Sequence, residues 1–228
     1  MAPTEARPPS PTDAPPAWVL FSAGKDSALA ALCLEPFFDV TLVTVGFGVE
    51  SAPDAGSGLT DGTEHAAAAA ASLGLPFRVV SLPVSVAHEA AEQVLADGHP
   101  NEAIQSVHER ALEAVATTAR ETTEVERPTV ADGTRRDDRV PRLDRSAAQS
   151  LEDRNGVDYV VPLRGHGRAA VDRLVGAQLA VTTGPSDEVA KADYETAIRA
   201  VIRREHGPER VDALFPEHTQ SRVTGRVD

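Results

Sequence analysis

The chain has one cysteine, Cys33, in 228 residues. A single thiol excludes an intrachain disulfide framework and any all-cysteine metal site held by one copy. Lysine is nearly as scarce: of 22 basic residues only Lys25 and Lys191 are lysines, and the others are arginines. No apolar run approaches the ~20 residues that a membrane-crossing helix needs. The N-terminus lacks a basic start followed by an apolar core, so no secretory signal and no membrane partner are expected. A cytoplasmic protein is the expectation.

Acid is what the chain has in plenty. Against the 22 basic residues stand 35 Asp and Glu, for a formal net charge of -13. An acidic surface with little lysine resembles haloarchaeal proteins. In dilute salt such a charge would oppose an anionic partner such as RNA. At molar salt the screening length falls to ~3 Å, and net charge steers little. The length gives one large domain with tails, able to bury its own core.

Residues 1–16 hold six of the 17 prolines and read as a disordered tail. Regular structure is expected from Trp18, where Trp18–Phe21 is a short apolar run suited to a strand buried on both faces. A helix over Ala28–Leu34 and a strand over Val40–Val45 follow. Residues 50–62 read as a loop. Then come a helix (Ala66–Leu73), a strand (Phe77–Leu82) and two helices within 84–120, divided at Gly98-His99-Pro100. A short strand (Thr129–Ala131), a helix (Ala147–Arg154), a strand (Tyr159–Val161) and helices at 167–176 and Ala192–Glu205 complete the domain. That domain is expected over 17–214, and 215–228 reads as a polar tail. Strands alternating with helices predict an α/β fold: a three-layer sandwich on a mainly parallel five-stranded sheet ordered 3-2-1-4-5, with its ligand at the carboxyl ends of the strands.

The junction after the first strand reads Ser22-Ala23-Gly24-Lys25-Asp26-Ser27. A small-residue turn there leads into a helix N-terminus, whose outward N–H groups suit an anion. Gly24 permits close backbone approach, and Ser22 and Ser27 can donate hydroxyl hydrogen bonds. Lys25 adds a cation, and Asp26 can cap the helix or help hold magnesium. The Walker loop is excluded, because Asp26 follows Lys25 and Val19 stands where its first glycine belongs. The dinucleotide fingerprint is excluded because the run has one glycine. The plainer reading is a serine-rich helix cap.

The loop resembles the PP-loop of the ATP pyrophosphatase superfamily, with its pattern Ser-Gly-Gly-x-Asp-Ser. Ser22, Gly24, Asp26 and Ser27 match, and Ala23 stands in place of the first glycine. An alanine is tolerable there if its φ is ordinary. The resemblance implies a Rossmann-like HUP domain that cleaves ATP between the α- and β-phosphates, adenylates an acceptor and releases pyrophosphate. It implies nucleotide contacts from Ser22 to Ser27, and from Gly46 and Phe47 at the end of the second strand.

A second constellation, Asp132-Gly133-Thr134-Arg135-Arg136-Asp137-Asp138, follows the fourth strand. In the expected sheet order it opens onto the same crevice. The resemblance assigns Asp132 and Gly133 to the nucleotide. Arg135 and Arg136, with Lys25 and Asp26, form the expected catalytic set, since cations here could neutralise the leaving pyrophosphate. Asp26, Asp137 and Asp138 are the candidate magnesium ligands. Arg135, Arg139, Arg142 and Arg145 lie in the densest basic segment and are the candidate contacts to transfer-RNA phosphates. The plainer reading is a solvated loop of alternating charge.

Within the superfamily the chain looks most like archaeal PP-loop proteins related to transfer-RNA thiouridine modification. With one cysteine, sulfur transfer would need a partner or small donor. Ammonia-dependent ligation of a small metabolite and a non-catalytic nucleotide-binding module are the alternatives. His99 and His108 show no metal-ligand spacing and read as structural. Cys33 reads as a packed core residue, and Lys191 opens a helix with no functional context. Oligomeric state is open, a homodimer included.

Overall fold

The computed structural model describes residues 14–48, 62–186 and 188–227. Its central sheet is built from β1 (Pro16–Leu20), β2 (Asp39–Gly46), β3 (Phe77–Ser81), β4 (Thr129–Ala131) and β5 (Asp158–Val160). The strands are all parallel and ordered β3-β2-β1-β4-β5, as the alternation of elements predicts. β1 therefore pairs on both sides: Trp18 lies opposite Thr41 of β2 and Val130 of β4. The chain leaves β1 toward β2 on one side and reaches β4 on the other. That reversal opens a crevice above the ends of β1 and β4.

Side chains alternate across the sheet, so each strand serves two cores. Trp18, Val43, Val45, Val80 and Val130 face one layer. It contains α3 (Val84–Asp97), α4 (Asn101–Thr122), α5 (Arg145–Asn155), α7 (Tyr194–His206) and α8 (Pro208–Leu214). Ala17, Val19, Val40, Leu42 and Ala131 face the other layer, with α1 (Lys25–Leu34), α2 (Thr63–Leu73) and α6 (Arg168–Gln178). The result is a three-layer α/β/α sandwich. α4 shows why a helix docks here: Ala103, Val107, Ala111, Leu112, Val115, Ala116 and Ala119 form one buried stripe at helical spacing. At ~1.5–3 kcal/mol for each large aliphatic side chain buried, Val107, Leu112 and Val115 outweigh helix propensity in fixing this element.

Residues 1–13 and 49–61 lie outside the described residues, which takes in most of the proline-rich tail and of the 50–62 loop. Two parts depart from expectation. Regular structure begins at Pro16, because Ala17 is fully buried and pairs with both neighbouring strands. The segment 215–228 is more than a polar tail. β7 (Thr219–Arg226) pairs antiparallel with β6 (Leu179–Pro185), a strand the sequence reading passed over. Two helices separate the partners along the chain, so no turn signal marks the pairing. The ribbon is tied to the second layer: Val223 is buried there, and the Arg226 guanidinium binds both oxygens of Glu35 at 2.7 and 2.8 Å and the Leu73 carbonyl.

Candidate functional site

The loop after β1 is held from within and from below. Ser27 Oγ donates to the Gly24 carbonyl at 3.1 Å and lies 3.3 Å from Ser22 Oγ. The Ser22 carbonyl accepts from Ala192 N–H at 3.0 Å, and the Ala23 carbonyl accepts from Val223 N–H at 2.9 Å. The missed ribbon is thus part of the scaffold of the loop. Gly24 caps α1 and, having no side chain, makes no capping hydrogen bond to the first turn. Ala23 has φ +63°, alone among the described non-glycine residues in taking positive φ. The condition set for an alanine at this position, an ordinary φ, is not met. The bend a glycine would make is present regardless, at a cost of ~1–2 kcal/mol for a Cβ in the left-handed region.

The segment after β4 meets this loop backbone to backbone. A Cβ on Gly133 would lie 2.6 Å from Ser27 N and 2.7 Å from its Cα, so only glycine fits without a shift. Asp132, next to it, is buried and saturated with hydrogen bonds. Its Oδ1 accepts from Thr134 N–H at 2.8 Å and from the Thr134 hydroxyl at 2.7 Å. Its Oδ2 accepts from the Tyr159 hydroxyl and lies 3.1 Å from His108 Nε2. His108 Nδ1 is 3.1 Å from the Tyr194 hydroxyl. Burial opposes the charge on Asp132, but His108, Tyr159 and Thr134 outweigh it and hold the carboxyl below its ordinary range. Burial, with the Asp132 charge, pushes the Tyr159 phenol far up, so it stays neutral and donates. Asp132 thus stands in the wall as a hydrogen-bonded anchor, with no lone pair directed to a metal.

These pieces bound a cleft of about 320 Å³. Leu20, Phe21, Val45 and Ile104 form an apolar wall. Ser22, Asp26, Ser27 and Gly133 form the loop side, and Lys191, Asp193 and Glu195 close it from the start of α7. The volume falls within the ~300–1,000 Å³ of small-molecule sites, and an apolar wall facing convergent polar groups is their usual make-up.

The structure sorts the residues expected from the sequence. Ser22, Asp26, Ser27, Asp132, Gly133 and Asp138 come together at the cleft. Ala23 and Gly24 shape the loop behind it. Val45 lines the cleft; neither Gly46 nor Phe47, both expected at the nucleotide, does so, and Phe47 is packed in the core. Lys25 turns toward α6, with Nζ 2.6 Å from Asp172 and 3.2 Å from Asp26. The lysine in the cleft wall is Lys191, whose Nζ lies 3.0 Å from Asp193. Burial opposes its charge, but Asp193, Glu195 and Asp26 overcome this and raise it above the ordinary lysine value.

The three candidate magnesium carboxylates do not converge. Asp138 binds Arg135 through its N–H at 2.7 Å and its Nη2 at 2.5 Å, and Asp26 approaches the same guanidinium at 3.5 Å. Asp137 is drawn away, 3.2 Å from Arg136 Nε and 2.9 Å from Arg168 N–H. Among the described residues no group of three or more His, Cys, Asp or Glu is placed to hold a metal. Of the arginines, Arg135, Arg136 and Arg142 gather at a smaller cavity with Arg164; Arg139 and Arg145 are not among its lining residues. Cys33, expected in the core, is exposed, on the one face of α1 that the buried residues leave free.

Sequence reasoning missed Lys191, Asp193, Tyr159 and Tyr194, and read His108 as structural without naming its partner. For His108 a signal exists: it is the one polar residue on the buried stripe of α4. The tyrosines carry none, since only the fold brings β5 and α7 to Asp132.

A family model described as a family of unknown function, DUF7411, matches residues 16–225. An uncharacterized protein, MJ0690, from Methanocaldococcus jannaschii is 36% identical over 209 residues, covering 91% of this chain and 94% of that protein. A crystal structure described as a predicted subunit of tRNA methyltransferase from Methanocaldococcus jannaschii aligns with a TM-score of 0.78 at 33% identity, covering 93% of this chain and 98% of the other. The U34-tRNA thiolase NcsA from Methanococcus maripaludis, solved with its [4Fe-4S] cluster, aligns at 14% identity with a TM-score of 0.42, over 89% of this chain and 70% of that one.

Proposed function

Because the chain belongs to DUF7411, a family of unknown function, its activity must be read from its site, and we propose that it binds ATP in this cleft, cleaves the α–β bond and adenylates an acceptor in tRNA modification. The observation that carries the reading is the loop of Ser22–Ser27. It keeps a left-handed bend at Ala23 against its own steric cost and leaves the first turn of α1 without a side-chain cap. A strained bend leading into an uncapped helix start suits a phosphate.

In this reading the adenine lies on Leu20, Val45 and Ile104, and the phosphates approach the start of α1. The N–H groups of that first turn and the Lys191 ammonium meet negative charge that grows as pyrophosphate leaves. Arg135, already shared by Asp26 and Asp138, exchanges those carboxylates for phosphate oxygens. Asp26 and Asp138 then suit a magnesium ion, which takes one or two carboxylates plus phosphate oxygens. The ion would supply charge neutralisation across the phosphates. The tRNA side of the proposal is supported by the description of the 33%-identical structure as a predicted tRNA methyltransferase subunit.

The test is pyrophosphate release from ATP at multimolar KCl, with and without total transfer RNA. Release stimulated by transfer RNA is the expected result. Release that responds only to a small metabolite and ammonia would favour ligase chemistry. ATP bound with no release under any condition would leave a nucleotide-binding module and contradict the enzyme.

A further inference from the structure

Across Thr134 from the cleft lies a smaller cavity of about 100 Å³, lined by Arg135, Arg136, Arg142 and Arg164. Thr134 lines both. The arginines arrive from two segments: the loop joining β4 to α5, and the turn after β5. Four arginines lining so small a space repel one another unless anions offset them. The chain supplies two, Asp138 on Arg135 at 2.5 Å and Asp137 on Arg136 at 3.2 Å. Among the described residues neither Arg142 nor Arg164 forms an ion pair. Arg164 Nη2 donates to the Leu143 carbonyl at 2.9 Å, which fixes its head without neutralising it. Gln105 fixes the Arg142 backbone from both sides: its Oε1 accepts from the Arg142 N–H at 2.8 Å and its Nε2 donates to the Arg142 carbonyl at 2.9 Å. In a chain of net charge -13, two arginines without an ion pair line one small cavity.

We propose that this cavity binds a single phosphate oxyanion through Arg142 and Arg164, with Arg136 beside them. A guanidinium presents paired N–H donors that match two phosphate oxygens, so opposed arginines can grip a tetrahedral anion from several sides. The cavity is well below the ~300 Å³ of sites that take larger ligands, which restricts it to one phosphate group. That chemistry is shared by an RNA backbone phosphate and by free inorganic phosphate. The proposal stands without the ATP reading; if both hold, the shared Thr134 wall sets the anchored phosphate beside the cleft.

The experiment uses the full chain in two arms: calorimetric titration with sodium phosphate, and anisotropy titration of labelled total transfer RNA over a range of KCl. The variants are R142Q/R164Q, and R139Q/R145Q as a charge-matched control outside the cavity. R142Q/R164Q is expected to weaken phosphate binding about tenfold or more, and to flatten the slope of log affinity against log salt for transfer RNA by about one. R139Q/R145Q should leave the phosphate arm at wild-type affinity. R142K/R164K, which keeps the charge but not the planar fork, should recover part of the loss and shows that folding is intact. Loss in both arms assigns the anion to the RNA backbone, and loss in the phosphate arm alone assigns it to free phosphate. Equal weakening of phosphate binding by the cavity and control variants, no weakening by either, or no phosphate and no RNA binding by the wild type would overturn the site. A parallel ATP titration should be unchanged in R142Q/R164Q. Failure of ATP to bind the wild type would defeat the nucleotide reading alone.

Discussion

Ala23 is the residue that carries the steric cost of the loop. Replacing it with glycine removes the clash of its Cβ at φ +63° but also loses a buried methyl. Glycine also adds ~0.4–1 kcal/mol of unfolded-state freedom, so Ala23→Gly should shift stability by less than about 1 kcal/mol, read from the denaturant midpoint. A larger fall would mean that Cβ packing dominates. Asp132 makes a second residue-level case. Its folded-state carboxyl lies below the ordinary aspartate range, so its contribution to stability is present above that range and is lost as pH falls through the lower, folded value. Acid titration should show stability falling below about pH 4. Asp132→Asn should be less stable at pH 7 by roughly 1–3 kcal/mol, since His108 and the Tyr159 hydroxyl lose their charged acceptor. It should also show a shallower acid loss; an unchanged acid limb would remove Asp132 from the account. At this scale the sequence was legible for the loop and misleading for the lysines. Spacing marks Ser22, Gly24, Asp26 and Ser27, but it does not say where a flexible side chain points. Lys25 is adjacent to the loop in sequence and turns to Asp172, whereas distant Lys191 reaches the cleft.

At the scale of elements, the site depends on contact between two loops from neighbouring strands. Gly133 is where they touch, and Gly133→Ala would place a methyl against the backbone of Ser27. This should cost about 1–3 kcal/mol, as overpacking does, and should weaken ATP binding along with stability. Wild-type stability and affinity in that variant would mean the loops are free to separate. The central strands were readable because each is a short apolar run bounded by turn residues. β6 and β7 were not, since they alternate polar residues on an exposed ribbon and find each other across two helices. Yet β7 supplies the N–H of Val223 that holds the Ala23 carbonyl. Removing 219–228 should lower the thermal midpoint and the ATP affinity together, a joint loss that separate measurements of unfolding and binding would detect.

For the whole molecule, the sheet order follows from elementary rules: right-handed crossovers between parallel strands leave few ways to place β4 beside β1. The crevice at that reversal was therefore predictable, as was the arrival of the second constellation within it. Its inner wiring was not, because Asp132, His108, Tyr159 and Tyr194 come from four elements whose docking no local pattern encodes. Charge behaves in the same way. The acidic total is a property of the whole surface, while the pairing of Arg142 with Arg164 is local and appears only once two segments converge.

The central claim is that the cleft between the loop after β1 and the start of α7 is the nucleotide site. Equilibrium titration of ATP against the wild type, Asp26→Ala, Ser27→Ala, Lys191→Met and Lys25→Met tests it most directly. The account predicts a loss of about tenfold or more for Lys191→Met, Asp26→Ala and Ser27→Ala, with Lys25→Met affected least. Wild-type affinity in Asp26→Ala, Ser27→Ala and Lys191→Met alike would contradict it.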